Sequence, residues 1–354
     1  MAIEMPQPVE VRKLPLDDVL EMADADIIEG WWPRRRHMLR ELVTRVAIGV
    51  GSRSRSVTKG GSMYPASFDY VAPTSLEEAI ALLDTHGHDA KVVAGGQSLI
   101  PLMKFRFASP AILVDINGIQ GLDTLAEGDG GLRIGALVRH KDCERSALLH
   151  GGKWGLLGAT ARLVADPIIR NRGTVCGSLA HADPQGDWAS AMMACGAEVV
   201  AQGPDGSRRI KVGELVVGPF ETQIQPNEII TECVVPDPGA NTGGTYLKLE
   251  RKIGDYATAA VAAQVTMANG TIGRAGIALT GVGSRNIQAT EAEAVLAGKE
   301  PSAELIAEAS KLAAAASDPT ADNRGSIAYK RSVIRVFTER ALTESIRQAK
   351  GGAL

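Results

Sequence analysis

The chain has 354 residues, a mass of 37.2 kDa and a formal net charge of −3, with 22% charged and 4% aromatic residues. A near-neutral chain with few aromatic rings lacks the basic surface and the stacking platforms of a nucleic-acid-binding protein. Its length predicts two or three domains. No stretch of about eighteen apolar residues occurs, so we expect no transmembrane segment.

Residues 1–62 differ in composition from the rest of the chain. Between Trp31 and Ser62 there are seven arginines and one lysine against a single acid, Glu41. Because these charges interrupt any apolar stretch, a targeting signal is disfavoured, and a disordered basic arm is one interpretation. Lys59-Gly60-Gly61 stands just before Met63, and codons for Lys-Gly-Gly are purine-rich enough to spell a bacterial ribosome-binding sequence. We therefore favour the hypothesis that Met63 is the native start and that residues 1–62 are a non-native extension.

Residues 63–117 predict a small βαβ-like unit. Thr74-Ser75 is an N-cap signal for a helix that ends at Gly87. A strand at 91–94, a short helix at 98–105 and a buried strand at 111–116 follow. The G-x-G-x-x-G pattern and a ribose-binding acid are both missing, which argues against a Rossmann domain.

Residues 118–237 predict a second unit of mixed helix and strand. We expect strands at 132–138 and 198–202, a hairpin turn at 203–206, and helices at 154–165 and 187–195.

Residues 238–354 predict a separate α+β domain. Asn269-Gly270 is a hairpin signal between apolar strands. The expected strands lie at 245–249, 257–267 and 276–280, and the expected helices at 290–296, 303–316 and 326–347.

Two glycine-containing segments about eighty residues apart suggest a clamp for a diphosphate. The first is Ala94-Gly95-Gly96-Gln97-Ser98, and the second is Thr174-Val175-Cys176-Gly177-Ser178. A tight turn between a strand and a helix directs several backbone N–H groups to one side, where phosphate oxygens bind. Gln97 and Ser98 add side-chain donors. Either segment alone would be a weak signal.

Three segments in this order, AGGQSLIPLMKFR, NRGTVCGSLAHADPQGDW and YLKLERKIGDYATAAVA, resemble the medium, FAD-binding subunit of molybdenum hydroxylases. The resemblance is strongest to the medium subunit of aerobic carbon monoxide dehydrogenase, and it spans 63–350. It implies an α+β chain with a two-subdomain FAD-binding fold of the PCMH/vanillyl-alcohol-oxidase type. A C-terminal domain with a three-stranded antiparallel sheet and helices follows.

The resemblance assigns FAD contacts to both glycine-containing segments and to two further residues. Asp187 would accept hydrogen bonds from the ribityl hydroxyls, with a helix N-cap as the alternative, and Tyr256 would lie beside the isoalloxazine ring, with a surface aromatic as the alternative. The full set is Ala94, Gly95, Gly96, Gln97, Ser98, Leu99, Thr174, Val175, Cys176, Gly177, Ser178, Asp187 and Tyr256.

Cys176 departs from the family pattern, because the family usually has glycine there. A side chain at this position needs negative φ and room beside the cofactor. It is either a redox thiol next to the flavin or a tolerated small side chain, and we favour the second.

Neighbouring residues receive structural interpretations. We expect His181 to cap or pack, and Asp166-Pro167 to shape a turn. Arg170-Asn171-Arg172 would shape the same turn and present positive charge to the diphosphate, with solvated charge as the alternative. The four cysteines have no metal-ligand spacing, so we expect buried reduced thiols and no metal site. The list is Cys143, Cys176, Cys195 and Cys233.

The resemblance implies a division of labour without a catalytic residue on this chain. A large subunit carries molybdopterin, a small subunit carries [2Fe-2S] clusters, and FAD on this chain passes electrons to a quinone or another acceptor. The expected assembly is a dimerised heterotrimer, cytoplasmic or peripheral to the inner face of the membrane. We expect residues 317–330 to contact the iron–sulfur subunit.

Three alternatives stay open at this point. The chain could be the medium subunit of a hydroxylase for an aldehyde, a purine or another N-heterocycle. It could also be a stand-alone flavin oxidase or a flavin-free binding module.

Overall fold

The computed structural model describes residues 64–128 and 130–351. The predictions for residues 1–62, together with the proposed start at Met63, lie outside them. No helix within the described ranges is long and apolar enough to cross a bilayer. Within the described residues, three larger sheets follow one another, each with its own helices, and two short strands form a separate two-stranded sheet. The predicted boundaries after residues 62, 117 and 237 stay a prediction.

The first sheet is parallel, with strand order β1-β3-β2. Helix α1 begins at its predicted N-cap, because the Ser75 hydroxyl accepts the Glu78 amide, and it ends at Gly87. The predicted elements of this unit are confirmed within two residues, whereas the three-residue β1 was missed. The elements are β1 (Asp69–Val71), α1 (Leu76–His86), β2 (Ala90–Val93), α2 (Leu99–Lys104) and β3 (Ile112–Asp115).

The second sheet is antiparallel, with strand order β4-β5-β10-β6-β7. Its strands are β4 (Leu125–Gly128), β5 (Gly131–Gly135), β6 (Glu198–Gly203), β7 (Gly206–Lys211) and β10 (Ile229–Pro236). In the same unit, β8 (Val216–Gly218) and β9 (Glu221–Thr222) form a separate two-stranded sheet. Its helices are α3 (His140–Arg145), α4 (Gly155–Leu163), α5 (Pro167–Arg172), α6 (Val175–His181), α7 (Asp187–Cys195) and α8 (Val212–Leu215).

The predictions for this unit are confirmed with two differences. The predicted strand at 132–138 ends at Gly135, and the predicted turn around 166–172 is the short helix α5. Asp166 caps α5 by accepting the Ile169 amide at 2.9 Å, and Pro167 occupies the first turn, where its missing N–H costs no hydrogen bond. The turn-forming residues were identified, but they begin a helix.

The third sheet is antiparallel, with strand order β11-β12-β13-β14. The predicted three-stranded sheet is present, and the two-residue β14 adds a fourth strand at its edge. Asn269 and Gly270 have φ of 50° and 82°, as a tight hairpin turn requires. The elements are β11 (Thr242–Leu249), β12 (Ala259–Ala268), β13 (Thr271–Thr280), β14 (Ile287–Gln288), α9 (Thr290–Leu296), α10 (Ala303–Ala316) and α11 (Ile327–Ala349).

Helix α7 joins the second and third sheets. All of its residues are buried, and it packs against β10 on one side and against β12 and β13 on the other. At its closest approach to β13, a Cβ added to Gly276 would clash with the carbonyl oxygen of Ala194. Only glycine allows this backbone contact.

We expect Gly276→Ala to lower the free energy of unfolding by roughly 3 kcal/mol, because the added methyl group meets backbone that cannot rotate away. Urea titration of the variant measures this. Gly118→Ala is the control, since its nearest contact to an added Cβ, the carbonyl oxygen of Pro73, is at 3.8 Å. Equal stability of the two variants would contradict the close approach of α7 and β13.

Candidate functional site

The first glycine-containing segment is an open loop between β2 and α2. Residues 94–99 are all half-buried, and Gly96 has φ of +72°. None of the amide N–H groups of residues 95–98 donates a hydrogen bond to another described residue. Half-buried amides without a protein acceptor are the donors that an anionic ligand requires.

The second segment is the first turn of α6 and not a glycine loop. The Thr174 hydroxyl caps this helix by accepting the Gly177 amide at 3.1 Å. Cys176 lies inside the helix, so its backbone tolerates a side chain. Its sulfur lies 3.6 Å from the carbonyl oxygen of Ile134 in the core, and burial strongly raises the pKa of this thiol. The geometry favours the tolerated side chain over a redox thiol.

The two segments meet through backbone contact. A Cβ on Gly95 would lie 2.5 Å from the carbonyl oxygen of Arg172 and 2.8 Å from the Cα of Gly173. Gly173 immediately precedes Thr174, the cap of α6. The first loop therefore lies directly against the backbone that leads into α6.

A side-chain bridge reinforces this contact. Arg139 donates to the carbonyl oxygen of Arg172 at 2.6 Å and, through its other terminal nitrogen, to Asn117. Asn117 donates in turn to the carbonyl oxygen of Ala94 at 2.8 Å. The guanidinium thus ties the residue before the first loop to the residues before the second segment.

Sequence reasoning missed both members of this bridge. Asn117 had a signal in the sequence, because Asn117 follows β3 and Ala94 follows the neighbouring parallel strand β2 at the same edge of the sheet. Arg139 had none, since its partners are reached only after the chain has folded.

The neutral side chain of His140 packs against the backbone that leads into the second segment. His140 is 3% exposed, and its Nδ1 accepts the indole N–H of Trp188 at 3.0 Å. Burial, followed by the positive charges of Arg170 and Arg139, lowers the pKa of His140 to about 3. Its Nε2 would lie 2.7 Å from a Cβ on Gly173, so the ring packs against backbone.

Arg170 does not present positive charge to a ligand, which corrects the sequence prediction. Its guanidinium pairs with Glu144 at 2.9 Å and donates to the carbonyl oxygens of Val164 and Ala165, each at 3.0 Å. Only 10% of its side chain is exposed. The charge is used to fasten α5 to α3 and to the end of α4.

Asp187 lies in a buried network between the second and third sheets. Its carboxylate accepts the Tyr246 hydroxyl at 2.8 Å and the Lys248 ammonium at 3.0 Å. Burial raises the pKa of Asp187, and Lys248 and Tyr246 oppose that rise. The N-cap alternative is wrong, because Gly186 occupies the N-cap position of α7. The ribityl contact stays a prediction, and Lys248 and Tyr246 join the site as residues that were not predicted.

Tyr256 and His181 complete the predicted set. Tyr256 is 46% exposed on the loop between β11 and β12, a location that fits both a ring contact and a surface aromatic. His181 ends α6, and its ring lies 5.1 Å from that of Phe220, which agrees with a packing role. All four cysteines are buried and form no disulfide.

Comparison with known proteins decides the family. Residues 66–238 match the FAD binding domain in molybdopterin dehydrogenase, and residues 244–345 match the CO dehydrogenase flavoprotein C-terminal domain. The chain belongs to this family of FAD-binding molybdopterin dehydrogenase subunits. FAD is therefore its cofactor, and the resemblance proposed from the sequence is confirmed.

Two curated relatives cover most of the chain. The 6-hydroxypseudooxynicotine dehydrogenase complex subunit alpha of Paenarthrobacter nicotinovorans is 40% identical over 81% of this chain and 97% of its own. The carbon monoxide dehydrogenase medium chain of Afipia carboxidovorans is 38% identical over 81% of this chain and 100% of its own.

A solved structure shares the fold. Carbon monoxide dehydrogenase from Hydrogenophaga pseudoflava, in a form lacking the Mo-pyranopterin moiety, is similar with a TM-score of 0.77 and 39% identity. The match covers 80% of this chain and 99% of that one.

The observed donor set fits the diphosphate of FAD. The amides of residues 95–98 donate to no other described residue and can therefore bind an anion. In the first turn of α6, by contrast, the amides of Val175, Gly177 and Ser178 already donate to acceptors on Val138 and Thr174. Where the family member's FAD lies against individual residues stays a prediction for this chain.

Because Arg139 holds the two segments together, we expect Arg139→Ala to raise the dissociation constant for FAD about 10-fold to 100-fold. This range corresponds to one or two charge-assisted hydrogen bonds. Titration of the apoprotein with FAD, followed by flavin fluorescence, measures it. Arg133→Ala is the matched control, because Arg133 is 59% exposed and pairs with Glu232 on the second sheet. Equal affinities of the two variants would refute the bridging role.

His140 predicts a specific pH dependence of stability. The pKa of His140 is about 3 in the folded chain and near its ordinary 6.5 in the unfolded chain, so only the unfolded chain binds this proton between those values. The contribution of neutral His140 to the free energy of unfolding is fully present above about pH 6.5. As the pH falls below that value, this contribution is lost by about 1.4 kcal/mol per pH unit.

Urea unfolding of His140→Gln at about pH 7, 6 and 5 tests this slope. We expect the variant to lose less stability on acidification than the wild type, whereas the exposed control His88→Gln follows the wild type. Parallel slopes for all three proteins would contradict a buried neutral His140.

Proposed function

We propose that this chain is the flavoprotein subunit of a heteromeric molybdenum hydroxylase. Its FAD would receive electrons from the [2Fe-2S] clusters of a partner subunit and pass them to a quinone or another acceptor. The observation that carries the proposal is the position of the amides of residues 95–98, which donate to no other described residue, next to the capped first turn of α6. Hydrogen bonds of Arg139 and Asn117 hold these two segments together.

Each part of the site would have a separate task. Residues 94–99 and 174–178 would hold the diphosphate, and Asp187, fixed by Tyr246 and Lys248, would meet the ribityl hydroxyls. Tyr256 would flank the ring. When bound, FAD supplies storage for an electron pair and exchange of single electrons. The chain itself therefore needs only to bind and orient FAD, without a catalytic acid or base.

The substrate would be bound elsewhere in the complex. Carbon monoxide is our first candidate, because carbon monoxide dehydrogenase medium chains from two organisms match at 38% identity over 79% and 81% of this chain. A pyridine such as 6-hydroxypseudooxynicotine is the second, favoured by the relative at 40% identity.

The partners proposed are a large molybdopterin subunit and a small iron–sulfur subunit, in a dimerised heterotrimer in the cytoplasm or at the inner face of the membrane. The four cysteines form no disulfide, and each is buried among apolar residues of this chain's own core. Clusters held by cysteine thiolates would therefore belong to a partner. Because the family match includes the FAD-binding domain, a flavin-free module is disfavoured.

Two measurements on the protein from its own host test this function. One is native mass spectrometry, and the other is the flavin absorbance after anaerobic addition of substrate. We expect one FAD per chain, two further subunits, and bleaching of the flavin absorbance by carbon monoxide in the complex but not in the isolated chain. Bleaching by 6-hydroxypseudooxynicotine alone would select the second candidate. A solitary chain without flavin, or one reduced by substrate without partners, would overturn the proposal.

A further inference from the structure

Hydrogen bonds and an ion pair hold the base of the loop between α10 and α11 together. The Asp322 carboxylate accepts the amides of Arg324 and Gly325 at 2.8 and 3.2 Å, and its second oxygen accepts the Lys330 ammonium at 2.9 Å. Lys330 also donates to the carbonyl oxygen of Thr320 and is itself buried. This short turn therefore presents the Arg324 side chain in one direction.

The Arg324 guanidinium reaches into the gap between the second and third sheets. One terminal nitrogen donates to the Gln185 side-chain oxygen at 3.0 Å and lies 3.4 Å from the carbonyl oxygens of Tyr256 and Ala257. The other lies 3.3 Å from the Asp255 carboxylate. The side chain of Arg324 is 9% exposed and that of Asp255 is 1% exposed, so this ion pair is shielded from water.

These contacts involve both the backbone amide and the backbone carbonyl group of Tyr256. The Tyr256 amide donates to the same Asp255 oxygen that Arg324 approaches, and the Tyr256 carbonyl accepts from Arg324. Gln185 lies two residues before Asp187 and belongs to the FAD-binding domain. Arg324 thus links the backbone of Tyr256, through hydrogen bonds, to the loop that leads into α7.

We propose that Arg324 is a positioning residue that fixes Tyr256 against the FAD-binding domain and thereby sets the reduction potential of the flavin. The inference rests on the proposed function, in which Tyr256 flanks the ring. An aromatic face against an isoalloxazine ring changes its electronics according to distance and tilt, so a backbone tie at Tyr256 acts on the potential without touching the diphosphate.

The same contacts limit the predicted docking of residues 317–330 on an iron–sulfur subunit. The Arg324 charge is used within this chain, so charge reversal there would break an intrachain ion pair before it reported on a partner. Docking through the other residues of that segment stays a prediction.

The test is a redox titration of the flavin in the intact complex carrying Arg324→Gln. We expect the ratio of reduced to oxidised flavin at a fixed potential to change about tenfold, which is ~30 mV for a two-electron couple. FAD content should stay at the wild-type level, because Arg324 contacts neither diphosphate segment. Arg331→Gln is the matched control, since this exposed arginine of the same region donates to the carbonyl oxygen of Ser317.

A double-mutant cycle identifies the route of the effect. In a Tyr256→Leu background, we expect Arg324→Gln to change the flavin ratio no further. Gln185→Leu, which removes the acceptor from the opposite side, should shift the ratio in the same direction as Arg324→Gln, and it serves if the arginine variant does not fold.

An Arg324→Gln potential equal to that of Arg331→Gln would overturn the inference, and so would an equal shift with and without Tyr256. Wild-type protein without flavin would instead refute the proposed function, so the two failures are distinguishable.

Discussion

The site depends on a backbone contact between residues far apart in the sequence. Gly95 approaches Arg172 and Gly173 more closely than any side chain would permit. This contact places a loop, whose amides at residues 95–98 donate to no other described residue, beside the first turn of α6. Arg139 and Asn117 hold the two backbones in that relation through hydrogen bonds to carbonyl oxygens. The proposed binding of a diphosphate by both segments depends on this contact.

A second constraint unites the FAD-binding domain with the C-terminal sheet. Helix α7 is buried on all sides, and Gly276 allows β13 to approach its last turn. At its first turn, Asp187 shares its carboxylate between Tyr246 and Lys248 of β11. The residues proposed to meet the ribityl chain and the ring therefore lie on α7 and on the loop between β11 and β12, and these contacts hold the two elements together.

Local signals predicted much of this molecule, and tertiary contacts account for the errors. The Ser75 cap, the Asn269-Gly270 turn and the glycines of the first loop act through neighbours in sequence, so their positions could be predicted. The hydrogen bonds of the Asp187 carboxylate and the inward direction of Arg170 depend on Tyr246, Lys248 and Glu144. Arg139 and Arg324 act only across the folded structure, and nothing in their local sequence marks them.

Hydrogen–deuterium exchange of the apoprotein with FAD or with riboflavin, which lacks the diphosphate, tests the central claim most directly. We predict that FAD slows amide exchange in residues 94–99 and in residues 174–178 together, whereas riboflavin protects neither segment. Protection of only one segment by FAD, or equal protection by riboflavin, would contradict a shared diphosphate site.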